Sequence, residues 1–173
     1  MSSSTTAPPL STATHWASRT QFFCSGFIFA TWGVHIPTVK AHYGIDEAQL
    51  GFAMLAAGCG ALLGLTRAGG WIGHRGARQV AGLTGVIYAL LLAGLIAMPG
   101  FVALLVLLAA FGVVTSVFDV AINTEAAQLE LQCGRPLMSG MHGMFSLGGM
   151  MGAVTGGLAL GSGMGGQLHL ALV

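Results

Sequence analysis

Five apolar stretches of roughly twenty residues, each long enough to cross a bilayer as a helix, leave this chain few ways to fold. They run from about Arg19 to Val39, Ala48 to Thr66, Gln79 to Ala97, Phe101 to Ala127 and Leu137 to Leu160. In lipid every backbone N–H and C=O needs a partner inside the protein, which only helices and closed barrels provide. The alternation of barrel strands is absent, so helices remain. Charge supply agrees: 6% of the 173 residues are charged, where a soluble domain carries about 25%. Such a chain cannot keep a soluble surface hydrated, and the expected fold is an all-α, polytopic transmembrane helical bundle.

The joints are short. Lys40 to Asp46 forms the first, Met98-Pro99-Gly100 the third and Leu129 to Pro136 the fourth. The second, Arg67 to Arg78, is basic and Gly-rich and reads as a tight loop. Residues 1–18 are rich in Ser, Thr, Ala and Pro and carry no Lys or Arg. They lack the basic start and apolar core of a signal peptide, so they read as a disordered tail leading into a retained first helix. The first helix is expected to end or kink near Pro37. Residues 19–162 form the bundle, and 163–173, with Gln167-Leu168-His169-Leu170, read as a loop and the start of a truncated sixth helix. With the N-terminus inside, Arg19, Arg67, Arg75, Arg78 and Arg135 all fall inside and Lys40 outside. That bias predicts a multi-pass membrane protein with a cytoplasmic N-terminus.

A shift of 92 residues lays the second segment on the fifth: Gly51 meets Gly143, Leu55 meets Leu147, Gly60 meets Gly152, Ala61 meets Ala153 and Gly64 meets Gly156. Three crossings separate the copies, so they run in opposite directions, as in the inverted repeats of many secondary transporters.

The fourth segment holds a carboxylate near its middle. Thr115, Asp119 and Asn123 lie four apart, so a helix stacks them on one face. A central carboxylate costs about 2.5–3.5 kcal/mol even on insertion scales, and such groups turn toward a wet cavity or a partner helix. Asp119 is therefore the candidate proton- or substrate-binding group, with Thr115 and Asn123 beside it. Interhelical hydrogen bonding, worth about 0.6 kcal/mol, is the competing role. Trp32 and His35 near the outer end of the first segment, and His142 at the inner start of the fifth, are further pathway candidates. Their competing roles are interfacial anchoring and helix initiation. Glu125 and Glu130 read as solvated carboxylates at the inner interface. Gly148, Gly152 and Gly156 let another backbone approach closely, within this bundle or in a partner.

The segment order, the short turn before the fourth segment and the basic second joint resemble the N-terminal half of a major facilitator superfamily (MFS) transporter. That family carries Gly-x-Leu-Ala-Asp-Arg-x-Gly-Arg-Lys between its second and third helices; here the stretch reads Gly69-Gly70-Trp71-Ile72-Gly73-His74-Arg75-Gly76-Ala77-Arg78. The resemblance implies a gating role for Gly69, Gly73, His74, Arg75, Gly76 and Arg78, although the acidic position is Gly73 and the arginine after it is His74. Asp119-Val120-Ala121-Ile122-Asn123 resembles the acidic-x-x-x-Asn stretch of fucose-permease-like sugar:proton symporters, which implies proton coupling through Asp119. Met141 to Gly148 is similar to bacterial members of that branch. Their first-helix aspartate, four residues before a proline, falls at Gly33, so fucose itself is not the implied substrate. The implied partners are a small solute, protons, the lipid bilayer and a C-terminal half; no cofactor is implied.

Other classes fit poorly. A net charge of +1 without a basic patch argues against nucleic acid. Cys24, Cys59 and Cys133 lack disulfide or zinc spacing, and the six histidines are scattered without metal-ligand spacing. With no paired carboxylates or nucleophile elbow, an enzyme is not expected. The alternative from another class is a non-transporting structural or assembly subunit that docks through the Gly-rich face of its fifth segment.

Overall fold

A computed structural model describes residues 12–173 as six helices, α1 (Thr12–Tyr43), α2 (Glu47–Arg75), α3 (Ala77–Ala93), α4 (Phe101–Cys133), α5 (Met138–Gly161) and α6 (Gly166–Leu172). No strand occurs among the described residues. The all-α transmembrane bundle holds: α1, α2, α4 and α5 are long and apolar enough to cross a membrane. At 17 residues, α3 lies at the short limit of about 17–25 for a span. Large apolar side chains such as Phe52, Leu62, Leu90 and Val102 stay exposed on the outside, as a lipid-facing surface requires.

Several element boundaries differ from the sequence expectation. α3 stops at Ala93 and not Ala97, and α4 runs to Cys133 through most of the expected Leu129 to Pro136 joint. Residues 12–18, expected in the disordered tail, are helical, because that turn has contacts to make. Ser18 is fully buried, the Arg19 guanidinium lies 5.3 Å from the Trp16 ring, and His15 Nε2 meets Cys133 Sγ at 3.5 Å. The rest of the expected tail lies outside the described residues. Pro37 does not end α1; a proline within a helix gives up one N–H bond, and α1 continues past it to Tyr43. The expected Arg67 to Arg78 loop is almost wholly helix. Gly69, Gly70 and Gly73 stay inside α2, and the break is Gly76 alone, with φ +81°.

The remaining joints are held by side chains. Asp46 caps α2: its Oδ1 accepts from Gln49 N at 2.8 Å, while Gln49 Oε1 accepts from Asp46 N at 3.0 Å. Tyr43 Oη donates to the Leu95 carbonyl at 2.9 Å and accepts from Met98 N at 3.1 Å, tying the end of α1 to the turn before α4. Between α4 and α5, Gly134 takes φ +61°, and Glu130 Oε2 accepts from Leu137 N at 2.6 Å and Met138 N at 2.9 Å. It thereby satisfies donors that open α5.

Two close helix pairs organise the bundle, α1 on α5 and α2 on α4, with α3 packed on α4. Both use glycine to bring backbones together. Gly148 and Gly152 of α5 lie against the backbone of Phe23 and Phe27, and Gly26 of α1 against Phe145 and Gly149. In the second pair Gly60 and Gly64 of α2 meet Ala109 and Val113, and Gly112 of α4 meets Ala57 and Ala61. The equivalence is regular: α5 glycines follow their α2 counterparts by 88 residues, and α1 positions precede α4 positions by 86. The structural repeat is thus one helical turn away from the 92-residue echo in sequence, where small residues recur every four positions. Between the pairs sits an aromatic core, Tyr88 lying 5.0 Å from Phe111 and 6.0 Å from Phe118, and Trp32 6.0 Å from Phe111.

Candidate functional site

On α4 the buried stripe runs through Phe118, Ala121, Ile122, Glu125, Ala126 and Leu129. Helical phase turns Asp119 off that stripe, so its side chain is exposed while Val117 and Phe118 before it are buried. Asn123, one turn on, donates from Nδ2 to the Asp119 backbone carbonyl at 2.9 Å and to its Oδ1 at 3.3 Å. Thr115, one turn earlier, is half-buried and gives its hydroxyl hydrogen to the Phe111 carbonyl at 2.7 Å. On α5, His142 is exposed, stands edge-on to Phe22 with ring centres 5.6 Å apart, and lies within electrostatic reach of the Asp119 carboxylate. Asp119, Asn123 and His142 are therefore brought together from two helices onto a face that no described helix covers.

The other sequence candidates lie elsewhere. Trp32 is buried against Phe111, so it is a core residue and not an interfacial anchor. His35 is fully buried (0% exposed), and its Nε2 meets Nδ1 of the buried His169 at 2.7 Å, joining α1 to α6. Gly69, Gly73, His74, Arg75 and Gly76 sit at the end of α2 and its break, all exposed, and Arg78 opens α3. Gly148, Gly152 and Gly156 are all buried against α1, the last beside the Val34 side chain. This face is occupied within the bundle, which removes the docking surface that a structural subunit would have used.

Sequence reasoning missed Glu125. Expected at a solvated interface, it is 7% exposed, with the Gln21 side chain and Arg78 as its polar partners and Oε2 without a hydrogen bond among the described residues. The signal was available: Glu125 falls in phase with Phe118, Ile122 and Leu129 on the core stripe. A buried ionisable group on a spanning helix marks a functional position by default. Among the described residues no group of three or more His, Cys, Asp and Glu gathers to hold a metal ion. A groove of about 530 Å³ between α1 and α3 is apolar apart from residues such as Thr20 and Gln21 and does not include Asp119.

Neither a family model nor a solved structure matches the chain. Curated proteins do. An uncharacterised MFS-type transporter of Yersinia pestis is 36% identical over 137 residues, 79% of this chain and 36% of that protein. The uncharacterised transporter y4wD of Sinorhizobium fredii is 33% identical over 138 residues, 80% of this chain and 37% of its own length. Membrane protein MosC of Rhizobium meliloti is 32% identical over 138 residues, 80% of this chain and 34% of that protein. The chain thus spans about a third of the length of the curated relatives it matches. With helices that can span a membrane, this chain is, over the stretch it shares with these proteins, a relative of an MFS-type transporter.

Proposed function

We propose that the chain is the N-terminal part of a secondary transporter for a small solute, a sugar or related metabolite, coupled to protons through Asp119. The observation that carries this reading is one carboxylate on a spanning helix, turned away from the core stripe, with Asn123 and His142 beside it on an uncovered face. A lipid-facing carboxylate would be expensive; a cleft between this bundle and the remainder of a longer protein would give it water. The amide of Asn123 and the imidazole of His142 supply the hydrogen-bonding groups a polyhydroxylated solute needs. Substrate would sit near the midplane, and the two halves would rock around it. In this reading the arginine-bearing end faces the cytoplasm of a bacterial inner membrane. The resemblance of Asp119 to Asn123 to fucose-permease-like symporters supports the sugar class and the proton.

The test is uptake by the full-length protein in proteoliposomes under an imposed proton gradient. Asp119→Asn should abolish gradient-driven accumulation while leaving counterflow exchange. Unchanged gradient-driven uptake would refute the coupling role.

A further inference from the structure

Away from the Asp119 face, Gly76 lets α2 and α3 diverge, and α4 floors the gap between them. The resulting groove, of about 260 Å³, is lined at its mouth by Trp71, Arg75 and Gln79 and further in by Leu83, Ile87 and Val113. Its mouth is at the end of the bundle where the chain's five arginines fall. Arg75 is exposed, forms no ion pair among the described residues, and no carboxylate lines the groove. Glu125, the buried acid at this end, has Arg78 as its charged partner.

The sequence of surfaces is one cation, one indole at 44% exposure, one amide, then apolar side chains reaching toward mid-membrane. A guanidinium presents a planar fork of donors that matches a phosphodiester, tryptophan prefers the headgroup level, and basic pockets between spanning helices take anionic headgroups. We propose that this groove binds one anionic phospholipid, with its phosphate on Arg75 and Gln79 and an acyl chain along Leu83, Ile87 and Val113. Charge complementarity at the mouth and the apolar run behind it select this occupant over a zwitterionic lipid, whose own ammonium would offset the attraction to Arg75.

The test uses the chain carrying Trp16→Phe and Trp32→Phe, so that Trp71 alone fluoresces, in phosphatidylcholine bilayers doped with brominated phosphatidylglycerol or brominated phosphatidylcholine. The anionic quencher should reach half-quenching at about fivefold lower mole fraction, the advantage one interfacial arginine confers. Arg75→Gln should merge the two curves, and Ile87→Phe, which fills the groove with the charge and Gln79 in place, should weaken anionic quenching of Trp71. Arg67→Gln, at the same end but outside the groove, should leave the gap intact. Coincident curves in the starting protein overturn the proposal. So does a gap that survives Arg75→Gln, or one that Arg67→Gln narrows equally, since either marks diffuse attraction to a positive surface.

Discussion

Gly60 and Gly148 occupy equivalent places in the two helix pairs. A Cβ on Gly60 would overlap the Ala109 carbonyl, with the carbonyl carbon 2.8 Å away, and a Cβ on Gly148 would overlap the Phe23 carbonyl, again with its carbon at 2.8 Å. The atoms in the way are backbone, which cannot rotate aside. In lipid, helix association rests on close packing more than on expulsion of water, and these contacts set how closely each pair packs.

Alanine at either position must therefore push its pair apart. Gly60→Ala and Gly148→Ala should each cost about 1–3 kcal/mol, the usual range for overpacking. Gly58→Ala and Gly143→Ala, where nothing lies within 4 Å of the added carbon, should be neutral or slightly stabilising, since alanine is the better helix former. Unfolding in mixed micelles of increasing SDS fraction separates the two sets; equal effects at all four positions would show that the close approach is not what stabilises the pairs.

The His35–His169 pair predicts a local effect. One imidazole donates and the other accepts across 2.7 Å, both rings being buried, so removing one leaves the other unsatisfied at about 1–3 kcal/mol. His169→Ala should free α6 before the rest of the bundle, raising hydrogen exchange of the amides of residues 166–172 by tenfold or more, the factor that about 1.4 kcal/mol of local stability provides. His42→Ala removes an exposed ring that only stands edge-on to Tyr43, 4.8 Å away, and should leave those amides unchanged.

At the start of α2 a cap and an ion pair stand one residue apart and should differ in weight. Asp46→Ala removes the reciprocal bonding with Gln49 and should cost about 1 kcal/mol. Glu47→Ala removes an exposed pair with Lys40 and should cost no more than about 0.5 kcal/mol. Thermal unfolding of both variants in the same detergent checks the ranking, which salt should not reverse.

The architecture was legible because apolar length is a property of sequence. Asp119 with Asn123 was legible for the same reason, since four-residue spacing fixes a shared helix face. What escaped depended on partners. Trp32 and His35 look alike as polar-tipped residues near a helix end, and only packing against Phe111 and His169 makes them core. Gly69, Gly70 and Gly73 suggest a loop, yet a glycine run without proline continues a helix when nothing forces it to turn, and Gly76 alone takes the positive φ. The repeat slipped by one turn because Gly60 matches Gly152 as well as Gly148 when only residue identity is compared.

Glu125 carries the last prediction. It lies buried on α4 with Gln21 beside it, while Arg78, its charged partner, is exposed at the start of α3. Glu125→Gln keeps the shape and a polar contact to Gln21 but removes a charge held out of water, so it should be neutral or stabilising by about 1 kcal/mol. Arg78→Gln should destabilise the protein when Glu125 is present, because it strips the buried carboxylate of its counter-charge. Because Arg78 is solvent-screened, that cost should be about 1 kcal/mol, well below that for a wholly buried pair. In the Glu125→Gln background the same change should cost almost nothing. A double-mutant cycle measured by SDS-induced unfolding reads the difference directly. A coupling of zero would mean that Arg78 does not compensate Glu125.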